Sequence, residues 1–403
     1  MSAEGFSDAD WTKINALDPN DFGLPKRGTN SAIIGTFNML KLGDGSQDAK
    51  RWDFLSKIRA RYDFLAIQEV LDDLSGLDRL MSRLPKHYEF LVSDTTGKFP
   101  GDRYGLTERL AFIYNPKRIR LDDLASDITY DRSWVLNQLN EDWTTWEKFF
   151  QKYNAELKKF DEGKRKQRPA LGDYATPAFL TFIRQPHCAA FTILGKDNAP
   201  GIPFLAVNAH LLYGKGKTER KREFNALLNW LIYRSQEPER MYHTNMILLG
   251  DLNLEFTSAA TKREEIDDRL RALNQEDLGS MEAATVNFPL LSVHPSRANL
   301  PEDEQLFRTN ARTSQTYDQI GFFVAPNESR LPFPHHNANA GNNGPNGYDY
   351  GVFRFTDLIA KALHNRNTFA ALTDAQQDAL IPRAHADISD HLPAWTRIPL
   401  PTS

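Results

Sequence analysis

Short apolar runs bounded by polar residues recur along the 403-residue chain, and most have the length of a strand rather than a helix. IIGTF (33–37), FLAIQ (64–68), LAFIY (110–114), AFLTFI (178–183) and FLAVNA (204–209) are of this kind. MILL (246–249), YDQIGFFV (317–324) and LPAWTRI (392–398) complete the set. Helical spacing shows elsewhere: Trp52, Leu55 and Ile58 form one stripe, and Phe224, Leu227, Leu228 and Leu231 another. Residues 356–363 read as a further helix. Strands and helices are interleaved, with strands dominating the core. That pattern predicts an α+β fold of two packed sheets with helices outside. No self-similarity at the period of solenoid or propeller repeats is present.

Three segments break the rhythm. Residues 1–30 read as a leader rich in turn formers, followed by a single domain over 31–403. Residues 127–170 predict a long inserted helix, because Trp143, Trp146, Phe150, Tyr153, Leu157 and Phe160 recur at spacings of three and four. Its basic end (Lys158, Lys159, Lys164, Arg165, Lys166 and Arg168) either is solvated or contacts a nucleic-acid backbone. Residues 326–351 are dense in Pro, Asn and Gly and predict a long loop containing His335 and His336. Adjacent histidines in such a loop are more often solvated than ligands.

Composition narrows the class. Hydrophobic residues make up 40% and charged residues 25%, the balance of a globular domain. Cys188 is the only cysteine, so neither an intrachain disulfide nor a thiolate metal cluster can form. No apolar run reaches membrane-spanning length, and the acidic N-terminus lacks a secretory layout, so the expectation is a cytoplasmic protein with no membrane partner. Nothing in the chain implies an obligate protein partner. A net charge of −4 makes any nucleic-acid surface a local one.

The chemistry sits at the ends of the apolar runs: TFNML (36–40), IQEV (67–70), VNAH (207–210), GDLNLE (250–255) and SDH (389–391). Polar residues at converging strand ends can meet along one sheet edge. Glu69 is a hard oxygen donor of the kind Mg²⁺ prefers. Asp251 and Asn253, two residues apart on an extended run, point the same way and can hold a water or a phosphoryl oxygen. His210 and His391, each alone, read as structural histidines. Asp390, Asp318, Glu108 and Asp251 supply enough carboxylates to orient both rings and raise their pKa toward neutrality.

Taken with DFLAIQEV (63–70), FLVSDTTG (90–97), ERLAFIY (108–114), TYDQI (316–320) and ISDH (388–391), these motifs resemble the endonuclease/exonuclease/phosphatase superfamily. Within it they look most like the deoxyribonuclease I-like branch, over about residues 32–398. The resemblance implies a four-layered α/β-β/α sandwich of two mixed sheets with outer helices, carrying here a helical insertion. It implies Glu69 as the main Mg²⁺ ligand, with Mn²⁺ as the substitute ion, Asn38 nearby and Asp390 completing the sphere. His210 would be oriented by Glu108 and His391 by Asp318, while Asp251 and Asn253 handle water and phosphate. Arg109 would lie near the substrate unless strand alternation turns it away. Two departures stand out. Ala175-Thr176-Pro177 occupies the place where such relatives carry Arg-Glu-Pro before a central strand, and Leu71 stands where an arginine is common.

The leading functional expectation is a Mg²⁺-dependent nuclease acting on DNA or RNA, favoured also by a second basic run, KGKTERKR (215–222). The alternative is a phosphoesterase for a small molecule or lipid head group. A binding module without catalysis is the third class, and the intact set of site residues argues against it.

Overall fold

The computed structural model describes residues 4–43, 50–95, 107–169, 174, 176–214, 216–236, 243, 245–255, 268, 285–325, 331–337 and 344–402. Lys215, Ala175 and parts of the 90–97 motif and the 326–351 loop lie outside them.

Two six-stranded mixed sheets pack face to face. The first contains β1 (Ser31–Leu42), β2 (Phe64–Leu71), β3 (Glu89–Val92), β4 (Glu108–Tyr114), β11 (Asp349–Val352) and β12 (Ala394–Pro399), in the order β11-β12-β1-β2-β4-β3. The second contains β5 (Ile119–Asp127), β6 (His187–Ile193), β7 (Ile202–His210), β8 (Asn245–Asp251), β9 (Thr285–Asn287) and β10 (Asp318–Val324), in the order β5-β6-β7-β8-β10-β9. β1 and β2 run parallel, as do β7 and β8, and the other pairings are antiparallel. The fold class expected from the sequence is the one observed.

Between the sheets, Phe64 meets Phe191 at 4.8 Å and Phe204 at 5.7 Å between ring centroids, so β2 locks onto β6 and β7. On the outer face of the second sheet, α6 (Lys217–Gln236) buries the expected stripe of Phe224, Leu227, Leu228 and Leu231 against Leu205, Val207 and Leu248. Helices α2 (Trp52–Arg59), α3 (Ser75–Met81) and α7 (Phe355–His364) add Leu55, Ile58, Leu77, Leu80, Leu358 and Ile359 to the larger core. A polar seam crosses this apolar interface. Asn208 of β7 donates to the carbonyls of Ile67 and Ala111 at 3.1 and 3.0 Å, where β2 slips register against β4. Gln68 in turn donates to Asn208 Oδ1 at 2.6 Å.

Three expectations need correction. AFLTFI (178–183) is not a strand; the strand is HCAAFTI (187–193), immediately downstream. The apolar run misleads because Phe179 and Phe182 pack as loop residues on Tyr130. The insertion is two helices, α4 (Arg132–Glu141) and α5 (Trp143–Asp161), because Asp142 caps the second through Thr145 N. Of its aromatic stripe only Trp146 is buried, and Trp143 is 61% exposed. The first residues do more than turn: Ser7 and Asp10 form a capping box that starts α1 (Asp8–Asn15). Trp11 Nε1 and Phe6 N both donate to Asp387 Oδ2, at 2.8 and 2.9 Å, at the end of α8 (Asp374–Asp387).

Leaving a buried polar group without its partner costs ~1–3 kcal/mol. Asn208→Leu strips a donor from two carbonyls and an acceptor from Gln68, so it should lower unfolding free energy by at least ~2 kcal/mol. Urea denaturation should show the midpoint falling with the slope unchanged; a loss within ~0.5 kcal/mol would show that the seam contributes nothing to stability.

Candidate active site

Topology brings the motifs together. The C-terminal ends of the parallel pairs β1/β2 and β7/β8 carry Asn38, Glu69, His210 and Asp251. The antiparallel neighbours β4, β10 and β12 deliver Glu108, Asp318 and His391 at or just before their starts. In register, His210 and Asp318 both stand opposite Asp251.

Local backbone conformation aims the side chains. Glu69 has φ 58°, and Leu40 and Lys41 on the neighbouring strand have φ 46° and 50°. Both strands change register there, and such bulges re-aim a side chain at a cost of about 1–3 kcal/mol per strained residue. Gly250, with φ 152°, is required: a Cβ there would sit 1.9 Å from the Ala209 carbonyl oxygen.

A chain of carboxylates and imidazoles results. His391 Nδ1 contacts Asp318 Oδ2 at 2.7 Å, and its Nε2 lies 3.5 Å from Asp251 Oδ2. His210 Nε2 lies 3.6 Å from the same oxygen, while its Nδ1 is 3.3 Å from Glu108 Oε2 but out of line for a hydrogen bond. Asn38 Nδ2 donates to both Glu69 Oε1 (2.9 Å) and Asp251 Oδ2 (3.1 Å), tying the two ends of the site together. Asn253 N donates to Asp251 Oδ1 at 3.0 Å, and its side-chain amide donates to the Leu211 carbonyl at 2.9 Å.

These contacts set protonation. Burial alone would lower the His391 pKa, but Asp318 and Asp251 outweigh it and raise the ring well above its ordinary range. Burial raises Asp318 to about 6, against the pull of His391. At Glu108 burial also opposes the charge, yet the contacts with His210 and Arg184 hold the carboxyl down at about 2. Glu108 is therefore ionised throughout the neutral range.

Glu69 and Asp390 carry carboxylates and Asn38 an amide, donors of the oxygen type a hard divalent cation selects, while the Asn38 Oδ1 accepts from Leu40 N at 3.0 Å and its Nδ2 faces Glu69. Glu69 Oε2 also accepts from Lys41 N at 3.1 Å, which fixes its rotamer. Asp390 accepts a hydrogen bond from Ser389 Oγ at 3.4 Å. Asp251, Asp318 and His391 also lie close enough to share an ion, with donor atoms within 4.8 Å of one another, although His391 and Asp318 already satisfy each other. Arg109, on the opposite strand face from Glu108, bonds the Ser93 carbonyl at 2.9 Å and lies 3.4 Å from Asp94, turned from the imidazoles.

Three residues at the site escape the sequence reading. Arg184 makes a two-armed ion pair with Glu108, at 2.5 and 3.3 Å, and also bonds the carbonyls of His210 and Leu211. It begins Arg184-Gln185-Pro186 directly before β6, the strand that takes the place AFLTFI was expected to fill. The signal was in the sequence; reading AFLTFI as the strand concealed it. Glu223, buried on α6, accepts from Ile183 N and Leu212 N at 2.6 and 2.5 Å, clamping the loop after His210. Lys50 donates to the Ile388 carbonyl at 2.7 Å; burial lowers its pKa to about 8, against the pull of Asp390 and Glu69.

No family model matches the chain. It is 25% identical over 236 residues to a protein named deoxyribonuclease from Thioalkalivibrio sp. (strain K90mix), a match covering 57% of this chain. The chain spans about half the length of that curated relative, 48%. Similar solved structures include an endonuclease/exonuclease/phosphatase family protein from Bacteroides thetaiotaomicron, with TM-score 0.45, 13% identity and coverage of 92% of this chain and 98% of that one. A mannosyl-6-phosphatase from the same species gives TM-score 0.45 and 14% identity, covering 91% of this chain and 100% of its own.

His391 has a raised folded-state pKa, so the stability its proton supplies is complete below the unfolded value of about 6.5 and is lost as pH rises through the folded value. The raised pKa of Asp318 acts in the same direction. Melting temperature should therefore fall as pH rises above neutrality, and Asp318→Asn should flatten that fall and move the His391 ring titration, followed by NMR, downward. An unshifted ring titration in Asp318→Asn would contradict the pairing.

Proposed function

We propose that the chain is a divalent-metal-dependent hydrolase of phosphodiester bonds whose substrate is nucleic acid. The observation that supports this most is the single line of contacts Glu108–His210–Asp251–His391–Asp318 beside the Asn38–Glu69 pair. A phosphodiester hydrolase must neutralise an anion, take a proton from water and return one to the departing oxygen, and this line holds groups for each task.

Glu69 and Asn38, with Asp390, would hold Mg²⁺ or Mn²⁺, which when bound offsets phosphate charge. Asp251 Oδ2, between both imidazoles, orients and deprotonates the attacking water. As the new P–O bond forms, the ester P–O bond breaks, and the imidazolium of His391, kept charged by Asp318, protonates the leaving oxygen. His210, backed by ionised Glu108 and the Arg184 guanidinium, donates to a non-bridging phosphate oxygen. Asn253 positions Asp251 through its backbone N–H.

The name of the curated relative favours DNA as the polymer. A small phosphate ester is the second reading, favoured by one observation: the basic end of α5 is largely neutralised within itself. Lys159 pairs with Glu156 at 2.6 Å, Lys164 with Glu162 at 2.8 Å and Arg165 with Glu156 at 3.0 Å. In the second basic run Arg220 is buried on the Asn253 carbonyl at 2.8 Å.

Plasmid and matched single- and double-stranded DNA and RNA, incubated with Mg²⁺ or Mn²⁺ and read on a gel, separate the readings. Cutting abolished by chelator supports the first; hydrolysis of a chromogenic diester with the polymers intact supports the second. Glu69→Gln should cut turnover by orders of magnitude with folding unchanged. His210→Ala and His391→Ala should each lose roughly 10²–10⁴-fold. Adding Glu108→Gln to His210→Ala, or Asp318→Asn to His391→Ala, should lose little more, since members of a unit are non-additive. Fully multiplicative losses would dissolve the pairs.

A further inference from the structure

We propose that His294, His336 and Asp349 form a second metal site, distinct from the phosphodiesterase site, that takes a borderline cation of the Zn²⁺ class. Three separate chain segments supply it. His294 caps the 3-10 turn Pro295–Arg297, His336 belongs to the stretch 331–337, and Asp349 opens β11. Asp349 stands opposite Arg397 near the far end of β12, whereas His391 precedes the start of that strand. At ~3.3 Å per residue the two sites are roughly 20 Å apart.

The contacts converge on one atom. Asp349 Oδ1 lies 3.2 Å from His294 Nε2 and 2.9 Å from His336 Nδ1, and also accepts from Tyr350 N at 2.9 Å. The two imidazole centroids are 4.2 Å apart. A carboxylate oxygen has two lone pairs, so three donors crowd one acceptor while Asp349 Oδ2 faces Arg397 at 3.9 Å. Ligands ~2.0–2.2 Å from a common ion in a tetrahedron lie roughly 3.3 Å from one another. The donor atoms here all fall within 4.8 Å, so shifts of tenths of an ångström to about an ångström and a half complete the geometry.

The surroundings fit a ligated histidine. His294 Nδ1 accepts from Ser296 N at 3.2 Å, so Nε2 holds the ring proton toward Asp349. With an ion on Nε2 that proton would move to Nδ1, where Ser296 Oγ, 2.6 Å away, can accept it, the usual companion of a metal-bound imidazole. Two nitrogens and one carboxylate select Zn²⁺, Co²⁺ or Ni²⁺ over Mg²⁺. His336 is the most exposed of the three, 21%, so solvent reaches the side where a fourth ligand would stand. The bound ion would tie the 331–337 stretch to β11.

Co²⁺ titration of chelator-stripped full-length protein tests this, because imidazole-bound, low-coordinate Co²⁺ absorbs visible light far more strongly than Co²⁺ in an all-oxygen site. Wild type and Glu69→Gln should both show a saturable one-equivalent band that Zn²⁺ displaces. His336→Ala should abolish the band while keeping its far-UV circular dichroism; His336→Asn serves if the alanine variant misfolds. Ser296→Ala should weaken Zn²⁺ binding roughly 10–100-fold. Absence of the band in wild type, or a wild-type band in the folded His336 variants, overturns the proposal. Loss of the band in Glu69→Gln alone would assign it to the phosphodiesterase site and equally overturn it.

Discussion

The Asn208 amide is the fixed point of this molecule. Two six-stranded sheets packed through phenylalanines could slide over one another with little change in buried area, because the hydrophobic effect is non-directional. Asn208 removes that freedom: its three hydrogen bonds to Ile67, Ala111 and Gln68 span the interface and admit one register. They also fall where the strands leave regular pairing. Glu69 is two residues beyond Ile67 and His210 two beyond Asn208, so the link that aligns the sheets also sets the separation of the site's two halves.

Buried charge is arranged along that edge in alternation. Arg184, Glu108, His210, Asp251, His391 and Asp318 follow one another, each within 3.6 Å of the next. Desolvating any one charge alone would cost several kcal/mol, and pairing is what makes the group tolerable. The arrangement also gives each ring a different electrostatic setting. His391 is buried against two carboxylates that hold its proton, whereas His210 faces a carboxylate already engaged by a guanidinium.

Much of this was legible in the chain. The strand ends at Asn38, Glu69, His210, Asp251 and His391 could be read because each follows or precedes a short apolar run of strand length, and the interleaving of such runs with helical stripes pointed to two packed sheets. What was hidden has physical causes. Arg184 was displaced by an apolar stretch, Phe179 to Phe182, that packs in a loop. The break between the insertion's helices turns on one capping carboxylate, Asp142, which an aromatic stripe running across it masks. The self-neutralised basic end depends on Glu156 and Glu162 folding back, a matter of rotamers that residue spacing does not specify. His336 looked solvated because its partners, His294 and Asp349, are distant in sequence.

The docking of the first residues onto Asp387 bears on the far end of the chain. Asp387 ends the helix that leads through Ser389 to His391, and its carbonyl also accepts from Arg51 N at 2.7 Å, next to Lys50. Terminal segments ordinarily fray at little free-energy cost. Here fraying would release Phe6 and Trp11 from a half-buried carboxylate and slacken the segment that presents an imidazole. Backbone cleavage near residue 6 would therefore loosen residues far along the chain, and protease sensitivity there becomes a gauge of how firmly the stretch before His391 is held.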